Sequence, residues 1–135
     1  MTDPQVGDAL PTRDFGPMTT QMFVRYSGAS GDLNPIHYDR DFAQSAGYPG
    51  VFSQGMHHAA LLSTYVSDWS APSKIRRFLV RFRDQVWPGD VLSCSGEVTS
   101  LTQRDDGLIA SLSLTVTSQA GVVVMVGEAD VLVDG

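Results

Sequence analysis

From Phe42 to Ser67 the sequence holds no Asp, Glu, Lys or Arg. A stretch this long without charge belongs inside lipid or inside protein. Gly47, Pro49, Gly50 and Gly55 interrupt it, and Gln44, Ser45, Ser53, Gln54, His57 and His58 are too polar for a bilayer core. It therefore reads as a segment enclosed by its own fold. Within it, Gly55 to Trp69 (GMHHAALLSTYVSDW) carries a helical pattern about 22 Å long. Met56, Ala59, Ala60, Leu61, Leu62, Tyr65 and Val66 cover most of the circumference, which predicts a helix buried on most sides.

What encloses that helix follows it in the chain. After Pro72 the period changes from helix to strand. KIRRFLVRFRDQVW places Phe78, Val80 and Phe82 on one face and Arg77, Leu79, Arg81 and Arg83 on the other. Pro88-Gly89-Asp90 turns the chain into VLSCSGEVTSL. Asp105-Asp106-Gly107 is a hairpin signal before LIASLSLTVTS, and Ala120-Gly121 turns into VVVMVGEADVLV. The second half predicts an antiparallel meander of four long strands. The economical packing is an α+β fold in which a curved sheet wraps round the one buried helix, the hotdog arrangement. The segment from Ala9 to Thr19 is expected to add an edge strand.

Two shorter helices are predicted before the buried one. The first spans 19–29, capped by Thr19 or Thr20 and ended by Gly28; the second spans 39–46 and ends at Gly47. No repeat, low-complexity tract or linker appears, and 135 residues suit a single domain over 1–135. A small unit that leaves one side of its helix uncovered is expected to dimerise.

Hydrophobic residues make up 42% and charged residues 18%, an ordinary globular balance that argues against disorder. The net charge of -6 sets aside nucleic-acid binding and a polybasic membrane-surface role. The start, MTDPQVGDALP, is acidic and has no apolar core, so a signal peptide is not expected and a cytoplasmic location is. The single cysteine, Cys94, has no internal partner and reads as a small core residue rather than a nucleophile.

The strongest chemical signal is Ser30-Gly31-Asp32-Leu33-Asn34-Pro35-Ile36-His37. Pro35 fixes its own φ and pushes Asn34 into an extended conformation, and Gly31 permits a tight turn. Such a stiff loop can bring a carboxylate and an imidazole, five residues apart, to one point. Asp32 and His37 could then orient and deprotonate a water; a surface Asn-Pro turn with an incidental histidine is the competing reading. Gly55 opens the buried helix. Its free N–H and the positive dipole end suit an oxygen that becomes negative during reaction, although a glycine at a helix start also occurs without function.

Asp32-Leu33-Asn34-Pro35-Ile36-His37, with Tyr26 and Ser30-Gly31 before it and Gln54-Gly55-Met56 after it, resembles the MaoC-like, (R)-specific enoyl-CoA hydratase family. The resemblance runs from Tyr26 to about Ser63 and continues weakly at Trp87-Pro88-Gly89-Asp90. It implies that Asp32 and His37 activate water for addition across a 2-enoyl thioester. It also implies that the Gly55 N–H polarises the thioester carbonyl and that Ser63 supports the site. The family commonly has His where Gln54 stands here, which is expected to alter positioning and leave the chemistry intact. Asn34, Ser63, Gln54, Tyr38 and Phe52 are the expected substrate-binding residues. An acyl-CoA is the expected substrate, with no cofactor. A homodimer is the expected assembly, and a heterodimer with another MaoC-like chain is the alternative. A hotdog thioesterase is disfavoured, because Gly55 to Ser67 carries no carboxylate.

His57 and His58 stand about 100° apart on the helix and have no cluster of further ligands, so a metal site is not expected. One is expected to line the pocket or a dimer contact and the other to be packed and hydrogen-bonded. Arg76, Arg77, Arg81 and Arg83 read first as a solvated strand face, with a phosphate clamp for coenzyme A or a carrier arm as the alternative.

Overall fold

The computed structural model describes residues 3–134. Strand β1 (Ala9–Phe15) leads into helix α1 (Thr20–Ser30) and the short helix α2 (Arg40–Ser45). Helix α3 (Gly55–Trp69) follows, and then strands β2 (Ile75–Phe82), β3 (Leu92–Arg104), β4 (Gly107–Ser118) and β5 (Val123–Asp134). The strands form one five-stranded antiparallel sheet in the order β1-β3-β4-β5-β2.

The alternation in β4 determines which face meets the helix. Ala110, Leu112, Leu114 and Val116 are buried, whereas the intervening Ser113 is exposed. Helix α3 packs Ala59, Leu62, Tyr65 and Val66 into the core that this face lines, and buries His58 as well. Leu62 comes close because β5 carries Gly127: a Cβ there would stand 3.2 Å from Leu62 Cδ2 and 2.9 Å from the Leu79 carbonyl oxygen. This is the hotdog fold. Cys94 is fully buried in its core, and burial pushes its thiol pKa up to about 12, so it is no nucleophile.

The N-terminal edge strand forms within the expected segment. Its ladder with β3 is irregular between Leu10 and Arg13, where Pro11 has no N–H to give. The four-strand meander is corrected in one place. β3, β4 and β5 are joined by tight turns and pair in sequence, but β2 pairs with β5 and not with β3. It also stops at Phe82, short of Trp87. Helix α1 passes Gly28 and ends where Gly31 adopts φ +79°, the left-handed cap that only glycine takes without strain. Helix α3 keeps its expected bounds, but in the single chain it buries one stripe only, and Met56, Ala60 and Thr64 stay exposed.

Candidate active site

The loop between α1 and α2 is held by its own side chains. Ser30 Oγ accepts from the Asp32 N–H at 3.1 Å, and Asp32 Oδ1 from the Asn34 N–H at 3.4 Å. Asn34 Oδ1 accepts from the Ile36 N–H at 3.2 Å. The Tyr38 hydroxyl donates to the Leu33 carbonyl at 2.8 Å. Pro35 begins a single 3-10 turn, Pro35–His37, where a missing N–H costs nothing. That turn directs His37 inward, 6% exposed, while Asp32 remains at the surface.

Two contacts set what His37 can do. Its Nδ1 lies 2.7 Å from the Phe52 carbonyl oxygen. A carbonyl only accepts, so Nδ1 carries the proton, and in the neutral ring Nε2 presents a lone pair. That Nε2 faces Asp32 Oδ2 at 3.5 Å. Carboxylate and imidazole thus offer two acceptors to one point, an arrangement that suits a water molecule with two hydrogens to give.

Asp32 stands at the mouth of a cleft of about 330 Å³, lined also by Phe52, Gly55, Met56, His58 and Phe82. Gly55 is the first residue of α3, so its N–H has no acceptor within the helix. Gln54, the capping residue, makes no side-chain bond to that end. A Cβ at Gly55 would lie 2.9 Å from two ring carbons of Phe82, so any side chain there would displace the ring. The wall behind is fixed by Trp87-Pro88-Gly89-Asp90. Asp90 Oδ2 accepts from the Trp87 N–H at 2.9 Å, the Ser53 N–H donates to the Val86 carbonyl at 2.8 Å, and Trp87 meets Phe52 edge-on at 5.7 Å.

The structure brings Asp32, His37, Gly55 and Phe52 together. Gln54 lines the same cleft, but its amide nitrogen donates to the Phe23 carbonyl at 2.8 Å and to Ser27 Oγ at 2.9 Å, both on α1. Asn34 Oδ1 is occupied as a cap. Tyr38 lines a separate groove with Arg40, Pro49 and Trp87. Ser63 donates to the Ala60 carbonyl at 2.8 Å and does not line the cleft; it lies about 12 Å along α3 from Gly55.

The two adjacent histidines part ways. His57 stacks on Tyr26 at 5.0 Å in a second, mostly apolar groove with Met18, Met22 and Leu61. His58 is 3% exposed, lines the cleft, and has no partner for Nε2. Burial, then His57 and His37, push its pKa down to about 4, with Asp90 opposing. One histidine was expected to line the pocket or a dimer contact and the other to be packed and hydrogen-bonded; here each lines a groove, and His57 Nδ1 is, like His58 Nε2, buried without a partner. Ser53, Asp84 and Gln85 also line the cleft and had no sequence signal. Among the described residues no group of three His, Cys, Asp or Glu is placed to hold a metal ion. Arg76 pairs with Asp106 and Arg77 with Glu128, both on the surface.

A family model described as "MaoC like domain" matches residues 2–120. The chain belongs to the MaoC-like dehydratase family. Among relatives, the (R)-specific enoyl-CoA hydratase of Aeromonas caviae is 32% identical over 107 residues, covering 77% of this MaoC-like chain and 78% of that one. The 3-oxo-4,17-pregnadiene-20-carboxyl-CoA hydratase beta subunit of Mycobacterium tuberculosis is 33% identical over 106 residues, with the same coverage. The fatty acid synthase subunit beta of Saccharomyces cerevisiae is 30% identical over 120 residues, 87% of this chain but only 6% of that protein's length. The solved A. caviae (R)-hydratase superposes with a TM-score of 0.84 at 25% identity, over 98% of both chains. One chain of the M. tuberculosis ChsH1-ChsH2 complex superposes with a TM-score of 0.82 at 24% identity, also over 98% of both, a likeness of fold.

Proposed function

We propose that this MaoC-like chain is a hydro-lyase that adds water to a trans-2-enoyl-CoA, giving a (3R)-3-hydroxyacyl-CoA, or runs the reverse dehydration. The observation that carries this reading is the 3.5 Å separation of His37 Nε2 and Asp32 Oδ2 at the mouth of a cleft headed by the Gly55 N–H. Water held between the two acceptors attacks C3 of the enoyl group. Its proton passes to His37 Nε2, and the C2=C3 electrons move toward the thioester oxygen. The Gly55 N–H and the N-terminal dipole of α3 stabilise that oxygen. The proton then passes to C2, which restores the neutral imidazole. The thioester supplies its own activation, so no cofactor takes part in the proposal.

Support comes from the family and from the named hydratase relatives. The test is loss of enoyl absorbance with crotonyl-CoA and with a longer trans-2-enoyl-CoA. Asp32→Asn and His37→Ala are each expected to lower kcat about 100-fold or more, the range of general acid–base contributions. Activity that survives both substitutions overturns the site. A thioesterase has less support: the only carboxylate on α3, Asp68, lies at the far end, exposed and paired with Arg13. A heteromeric assembly is the second reading, favoured by a relative named as a beta subunit and a neighbour solved as a two-chain complex. No helix among the described residues is long and apolar enough to cross a membrane. As a separate proposal, we place either assembly in the cytoplasm.

A further inference from the structure

Three buried polar atoms in the wall of the cleft have no partner: Ser53 Oγ, Gln54 Oε1 and His58 Nε2. The residues that carry them are 3%, 2% and 3% exposed, and all three line the cleft that Asp32 guards. The water-activating pair uses none of them. Native proteins pair nearly all such atoms, because an unpaired buried polar group costs its full desolvation.

Their hydrogen-bonding capacity is one-sided. The Gln54 amide nitrogen is committed to Phe23 and Ser27 on α1, which fixes the flip of the amide and leaves Oε1 as a pure acceptor without a partner. Ser53 Oγ gives or accepts. His58 stays neutral in the folded protein, so its Nε2 also gives or accepts according to tautomer. The remaining wall is apolar, from Phe52, Met56 and Phe82. A plain alkyl chain packed here offers none of the three polar atoms a partner.

We propose that Ser53, Gln54 and His58 form a subsite for a hydroxyl group on the acyl chain, so that the cleft selects hydroxylated over plain alkyl acyl thioesters. The hydroxyl donates to Gln54 Oε1, and its oxygen meets Ser53 or His58. The proposal rests on the thioester reading above and names the substrate class for that same cleft.

The test uses matched pairs of trans-2-enoyl-CoA thioesters over a short series of chain lengths, one member ending in methyl and the other in hydroxyl. The readout is the ratio of kcat/KM within each pair, so partial loss of folded protein cancels. The wild type is expected to favour the hydroxylated member by about tenfold or more at one chain length. Ser53→Ala and His58→Leu are each expected to bring that ratio toward one. A wild-type ratio at or below one at every length, or a ratio that neither variant changes, overturns the subsite. Calorimetry with the saturated acyl-CoA pairs separates this from the reaction itself. A preference in Kd without turnover supports the subsite and sinks the hydro-lyase reading, whereas equal Kd values sink the subsite.

Discussion

His58 is a basic side chain held where its charged form is unwelcome. Its folded pKa, about 4, lies below the ordinary 6.5, and burial is the main cause. The unfolded chain therefore binds that proton first as pH falls. Stability contributed at neutral pH is lost between pH 6.5 and 4, on the order of 3 kcal/mol for this residue. The expected outcome is that His58→Leu flattens acid sensitivity. Urea midpoints at pH 7 and pH 4.5 should differ less in the variant than in the wild type, and an equal difference would show that His58 is free to charge in the fold. His37 shows how far a residue can be read from its neighbours. Pro35 and Asn34 announced a stiff turn and hence the pairing with Asp32. The bond from Nδ1 to Phe52 was illegible, because it joins positions fifteen residues apart through a main-chain oxygen.

Between elements, Gln54 is the tie that sets α1 against the start of α3. Its amide reaches two acceptors on α1 while its own backbone caps the helix that presents Gly55. Gln54→Glu keeps the shape and replaces the donor with an acceptor beside the Phe23 carbonyl. We expect a loss of about 3 kcal/mol at pH 8, the cost of an unpaired buried charge. Part of it should return at pH 5.5, relative to wild type at the same pH, as the carboxyl gains a proton it can donate. Denaturant unfolding at the two pH values checks this; a variant as stable as wild type at pH 8 would mean the tie is slack. Helix α3 was legible to both ends because Gly55 and the polar run after Val66 bracket an unbroken pattern. Ser63 and Tyr38 were harder to place. Their helix position and loop position were right, but which groove a side chain enters depends on packing that spacing does not encode.

At the scale of the molecule, the mouth of the cleft is unusually apolar for a surface. Leu33, Met56 and Phe82 are 63%, 60% and 55% exposed, and all three adjoin Asp32 or Gly55. Strand β2 is also an outer strand of the sheet, with β5 on one side only. Such a surface calls for a second chain. Light scattering after gel filtration is expected to give twice the 14.6 kDa chain mass, or a partner of similar size on co-purification. A monodisperse, active species at the single-chain mass would contradict this. The position of β2 is where the sequence was least informative. Alternation told which residues face the helix, but a strand's neighbour is chosen by how the sheet closes round that helix. The Phe82 end of β2 reaches Gly55 only because β2 crosses to the β5 side.

Phe52 serves the cleft twice, and by separable parts. Its ring helps form the wall, while its carbonyl holds the His37 proton in place. Substitution changes the ring and leaves the carbonyl where it is. The size of the cleft can therefore drift, or be redesigned, at position 52 without disturbing the tautomer of His37. The shape of the cleft and the placement of the His37 proton are decoupled at a single position.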